Sequence, residues 1–183
     1  MNRRLLGYML LAAWGSWISA LLGLADLMGI NKALLPDVLL CLVVLIAAAL
    51  PRSAAFQAAL VLALARIAFS VDSPFAILAS FLGAAVFVRT LRAGVEVYGP
   101  FSRGLLCSLA VWIDGIWLGA VRAQRAVFAA GGVPDDPSTL GTLFRPALDA
   151  LPRALISGVL ALFCGGILLS LPGLRFLEKR RTF

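Results

Sequence analysis

Arg66 and Asp114 are two ionisable residues set inside otherwise apolar stretches of this 183-residue chain. A lone charge deep in hydrocarbon costs at least a few kcal/mol, and pairing lowers that cost. Arg66 lies about twelve residues into one stretch and Asp114 about ten into another, so helix rise puts them roughly 18 Å and 15 Å from the same face. They are therefore expected to face each other or a shared polar cavity, as a structural pair or a partner contact. Substrate or proton handling is the sharper alternative, and Arg66 snorkelling outward is the blander one. Little else in the chain suits chemistry. Histidine is absent, which rules out a Ser-His-Asp arrangement. Cys41, Cys107 and Cys164 stand singly in separate apolar stretches, as structural thiols do, and indicate neither a zinc site nor a disulfide framework. No glycine-rich phosphate loop, metal-ligand cluster or glycosidase-like carboxylate pair is present in the sequence. A non-enzymatic protein without catalytic, cofactor or metal residues is the expectation.

The elements that would position Arg66 and Asp114 are six apolar stretches, at about 5–25, 36–50, 54–71, 75–88, 104–121 and 154–171. A bilayer core of about 30 Å requires roughly 17–25 mainly apolar residues per helix. With 62% hydrophobic residues, the fold class expected is all-α: a polytopic integral membrane protein, a six-transmembrane-helix bundle forming one domain over 1–183. The first stretch follows Arg3 and Arg4 but is too long for a signal peptide and has no small-residue cleavage site after it, so it reads as a retained helix. Pro36 and Asp37 open the second stretch, where proline suits a helix start and aspartate complements its dipole. Pro51-Arg52 ends it, and Ser70, Asp72, Ser73 and Pro74 make the turn after the third. The second to fourth stretches are short, so they are expected to stand nearly upright or to thin the bilayer locally.

The net charge of +7 does not form one exposed patch, which argues against nucleic acid as a partner. Placing both termini in the cytoplasm puts ten basic residues inside: Arg3, Arg4, Arg52, Arg89, Arg92, Arg103, Arg175, Lys179, Arg180 and Arg181. Five lie outside, namely Lys32, Arg122, Arg125, Arg145 and Arg153, with Arg66 left within a stretch. Ten against five favours cytoplasmic termini.

Small residues recur every four positions at Gly15, Ser19 and Gly23 and again at Gly115 and Gly119. Such spacing lets helix backbones approach closely in lipid, either within the bundle or against another protein. Between Arg122 and Arg153 lies the longest polar segment, which contains an amphipathic run from Ser138 to Leu151. Leu140, Leu143, Phe144 and Leu148 recur there at helical spacing beside Arg145. The run is expected to form an interfacial helix along the outer membrane surface, or else to dock a partner's extracytoplasmic domain.

Several short motifs resemble the MreD family, the small membrane subunit of the bacterial rod-shape, or elongasome, system. Pro36-Asp37-Val38-Leu39-Leu40 and Ala49-Leu50-Pro51-Arg52 are similar to that family's opening and exit of the second span. Leu106-Cys107-Ser108-Leu109, leading to Asp114-Gly115-Ile116, resembles its acidic fifth span. Phe144-Arg145-Pro146, followed by Ile156-Ser157-Gly158-Val159-Leu160, resembles its last loop and span. The similarity runs through most of the chain in order and spacing. One departure stands out: the family carries an acid in the third span near the position of Arg66, so no proton or ligand role transfers to that arginine. The resemblance implies a non-enzymatic scaffold in the bacterial cytoplasmic (inner) membrane. Its partners would be an MreC-like single-span protein and, through it, the RodA glycosyltransferase and the elongation transpeptidase. The family's architecture is also similar to the substrate-binding S-components of energy-coupling-factor vitamin transporters. That likeness supplies the alternative, a small-molecule-binding transport subunit.

Overall fold

A computed structural model describes residues 3–29, 31, 34–94, 99–129 and 139–177. The described chain is helical: α1 (Arg3–Leu27), α2 (Val38–Ala49), α3 (Arg52–Ile67), α4 (Pro74–Gly94), α5 (Pro100–Ala129), α6 (Thr139–Leu169) and a single turn, α7 (Leu174–Leu177). The six longer helices alternate in direction. One end of the bundle gathers the start of α1, the α2–α3 turn, the end of α4 and α7, and the other gathers Asp37, the α3–α4 turn, the end of α5 and the start of α6.

Helices α1, α4, α5 and α6 are long and apolar enough to cross a membrane. Only 22% to 33% of each apolar window is buried within the bundle. Most of that surface, including Trp17, Phe75 and Phe163, therefore faces outward. Apolar surface on that scale belongs against lipid rather than water, and the protein is a membrane protein.

Helix α2 behaves differently. Its 12 residues rise about 18 Å, well short of a hydrocarbon core. Every residue from Leu39 to Ala47 is buried, because α2 is apolar all round and the other long helices surround it. It is the axis of the core. Helix α3, with 16 residues, is intermediate in length and lays its alanine-rich face, Ala55, Ala58, Ala59 and Ala63, inward. Pro51 cannot continue a helix, and Leu50 before it is extended, so the chain reverses between α2 and α3. The freed carbonyls at the end of α2 are met by Arg89, whose Nη1 donates to Leu50 O at 2.9 Å.

The largest difference from the expected spans lies in α5 and α6. Helix α5 continues to Ala129, and α6 begins at Thr139 and runs through Pro146 and Pro152. From Thr139 on, the amphipathic run is therefore the first part of α6, continuous with the last apolar stretch and not a separate helix, while Ser138 lies outside the described residues. Two prolines six positions apart lie inside this helix, and each removes an amide donor. Packing against α5 holds the helix together across both. The two helices meet through small residues. Added Cβ atoms would press on Gly158 O from Gly104 at 3.0 Å and on Pro146 Cβ from Gly119 at 2.5 Å. Trp112 Nε1 also donates to Ala147 O across the seam at 2.9 Å. At about 45 Å each, the paired helices are longer than the hydrocarbon core is thick. At the opposite end Gly173, at φ +112°, folds α7 back onto α1, and only glycine adopts that conformation freely.

Candidate functional site

Asp37 is the hub of a polar chain through the apolar core. As the N-cap of α2, it accepts a bond at Oδ1 from Leu40 N–H at 3.1 Å. Its own N–H donates to Ser157 Oγ on α6 at 2.9 Å. Oδ2 takes two guanidinium contacts, from Arg66 Nη1 at 2.5 Å and from Arg153 Nη2 at 2.6 Å. Arg66 then reaches towards Asp114, with Nη2 to Oδ2 at 3.9 Å, and lies over the Phe81 ring at 5.5 Å. Asp114 closes the chain by accepting the Ser80 hydroxyl. Arg153, Asp37, Arg66, Asp114 and Ser80 come from α6, the start of α2, α3, α5 and α4. Two cations and two anions balance within it, which is the condition for holding charge in low dielectric.

Arg66 and Asp114 thus come within ion-pair distance, but the tighter partner of Arg66 is Asp37. The sequence marked Asp37 only as a helix start and Arg153 only as an outer loop charge. Their separation of 116 positions left no local signal of contact. A further ion pair lies close by, where Arg122 of α5 grips Asp72 in the α3–α4 turn through Nε and Nη2 at 2.7 and 2.8 Å. The Arg122 hydrogen bond holds the Asp72 carboxyl below its ordinary value.

The small-residue positions separate on inspection. Gly15 packs against Leu62 and Ala65 of α3, and Ser19 is buried with its hydroxyl donating to Gly15 O. An added Cβ on Gly23 meets nothing within 4 Å, so it is not a packing contact within the described chain. Gly115 and Gly119 face Ala150 and Pro146 in the α5–α6 seam. Of the outer segment, Arg145 and Leu148 are exposed on α6. The side chains of Leu140, Leu143 and Phe144 lie outside the described residues. Cys41 and Cys107 are buried as free thiols, and Cys164 is partly buried.

Two hollows flank the polar chain. One is a lateral groove of about 350 Å³ between α4 and α5. Ala79, Gly83, Ala84 and Ala110 line it together with Phe87, Ile113 and Trp117, and Ser80 and Asp114 supply polar atoms. The other is a cavity of about 290 Å³ at the Asp37 end, bounded by α1, α3 and the α3–α4 turn. Arg66, Arg122, Arg153 and Asp72 line it together with leucines and Phe69. Among the described residues no group of three or more His, Cys, Asp or Glu side chains is placed to hold a metal ion. The arrangement can lock helices together, seat a helix in the groove and receive a polar group in the cavity. No protein-family model, curated protein or solved structure matches the chain.

Proposed function

We propose that the protein is a non-enzymatic membrane scaffold whose α4–α5 groove seats the transmembrane helix of a partner. The groove carries this reading. In lipid, helices associate where small side chains let backbones come close and where a polar atom offers a hydrogen bond. Ala79, Gly83, Ala84 and Ala110 provide the first, and the half-buried Ser80 hydroxyl the second. The resemblance to the MreD family suggests the setting. The scaffold would serve the bacterial cell-elongation machinery of peptidoglycan synthesis, with an MreC-like single-span protein as occupant and RodA and the elongation transpeptidase joined through it.

Gly83 gives a direct test, because an added Cβ there meets nothing within 4 Å. Gly83→Trp should fill the groove while leaving the bundle monodisperse in mild detergent. Recovery of a co-expressed MreC-like partner should then fall at least about tenfold. Undiminished recovery would refute the groove as the seat. The transporter alternative draws on the outer cavity. Copurification of ATPase subunits and a bound vitamin, without an MreC-like protein, would replace the scaffold reading.

The same proposal sets six crossings in the bacterial cytoplasmic membrane with both termini inside. Support comes from charge: Arg3, Arg4, Arg52, Arg89, Arg92 and Arg103 all belong to one end of the bundle. Reporter fusions at Ser53 and Asp135 should report cytoplasm and exterior respectively. Both on one side, or the reverse order, would overturn this orientation.

A further inference from the structure

We infer that the cavity at the Asp37 end is a binding site for a small amphipathic anion, one carrying a phosphate or carboxylate on an apolar body. The inference goes beyond the scaffold reading and uses a different face of the molecule. The cavity wall presents three guanidiniums, from Arg66, Arg122 and Arg153, against a single carboxylate, Asp72. The two acids that balance the core network stand behind this wall. Asp37 and Asp114 have side-chain exposures of 1% and 2%, so a group entering the cavity meets arginine.

Planar guanidiniums match the oxygens of phosphate and carboxylate, often with two parallel bonds. The remaining wall is apolar, with Leu22, Leu35, Leu39 and Phe69 beside Ser19 and Gly23. That combination suits a charged head joined to a hydrocarbon portion. A volume of about 290 Å³ lies at the small end of the roughly 300–1,000 Å³ typical of ligand pockets. It accommodates a head group and a few carbons, not a whole lipid. The ligand's source is either an anionic lipid of the surrounding leaflet or a soluble acid.

Gly23 supplies the test. It lines the cavity, and an added Cβ meets nothing within 4 Å, so Gly23→Phe should fill the space without disturbing the packing. Arg122→Gln is a second variant, at a side chain that is 62% exposed. Purified full-length protein in neutral detergent would be titrated with dioctanoyl-phosphatidylglycerol, dioctanoyl-phosphatidylcholine, octanoate and inorganic phosphate, with binding read by calorimetry and native mass spectrometry. One equivalent of an anionic probe should bind at least about tenfold more tightly than the zwitterionic lipid. Gly23→Phe should weaken that binding by about tenfold or more, and Arg122→Gln by several-fold. Binding of phosphatidylglycerol alone assigns the site to a lipid head group, whereas binding of octanoate or phosphate assigns it to a soluble anion. No binding by any anionic probe, equal affinity for the two lipids, or equal affinity of the wild type and both variants would overturn the inference.

Discussion

Asp37→Asn is expected to destabilise the bundle by about 3–5 kcal/mol, the range for removing one partner of a buried ion pair. Asparagine keeps the shape and an oxygen for the Leu40 N–H, so the helix cap survives, while an amide nitrogen replaces the charged acceptor Oδ2. What it leaves behind is two guanidiniums that shared one carboxylate oxygen, at 2.5 and 2.6 Å. Their fates differ. Arg153 is 26% exposed and can turn outward, whereas Arg66 is 13% exposed and keeps only Asp114, 3.9 Å away. Most of the loss should therefore come from Arg66. The double variant Asp37→Asn, Arg66→Met removes both members of that pair and should be less destabilised than the sum of the two single changes. Thermal unfolding in detergent, followed by tryptophan fluorescence and size-exclusion profile, measures the wild type and the three variants. An Asp37→Asn midpoint within about 2 °C of the wild type would show that the carboxylate does not hold the core together.

The contrast between Arg66 and Asp37 shows what residue order can and cannot reveal about such a core. Arg66 and Asp114 each interrupt a long apolar run, and the expense of an unpaired charge in lipid makes them visible at once. Asp37 carries the same kind of charge but follows Pro36, which marks a chain turn and suggests water nearby. Its complete burial comes from Ser157 and Arg153, more than a hundred positions away, and no periodicity encodes that. Arg153 was obscured in a related way. Pro146 and Pro152 argue locally against helix, yet α6 runs through both because α5 packs along it. The four-residue spacing on α1 groups positions that meet different surroundings in the fold. Gly15 touches α3, while Gly23, two turns on, borders the cavity. Its short length set α2 apart from the helices long enough to cross a membrane, but its burial on all sides comes from its neighbours. A run of apolar residues reads the same whether lipid or protein surrounds it.

Gly115→Ala is expected to destabilise the α5–α6 pair by about 1–3 kcal/mol, the usual range for overpacking a filled interior. The new methyl would fall inside van der Waals contact with Ala150 Cβ. Neither methyl can rotate away, since both are fixed directly to helical backbone, so the helices themselves must separate. That separation would strain the Trp112 bond to Ala147 O on the same seam. The cause can be isolated. Ala150→Gly deletes the obstructing methyl and leaves Ala150 Cα 3.5 Å from the new Cβ, an ordinary contact distance. In the double variant alanine replaces glycine on α5 and glycine replaces alanine on α6, so the helix-propensity terms of about 1 kcal/mol nearly cancel. Gly115→Ala, Ala150→Gly should therefore unfold close to the wild type, although each single change is destabilising. Gly119→Ala offers a control, because it meets the ring of Pro146 at 2.5 Å and 3.1 Å, and Ala150→Gly should not rescue it. Unfolding midpoints of the wild type and the five variants settle the matter. If Gly115→Ala alone matches the wild type, the two helices do not touch at Gly115; if the double variant stays as unstable as Gly115→Ala, something other than the Ala150 methyl opposes it.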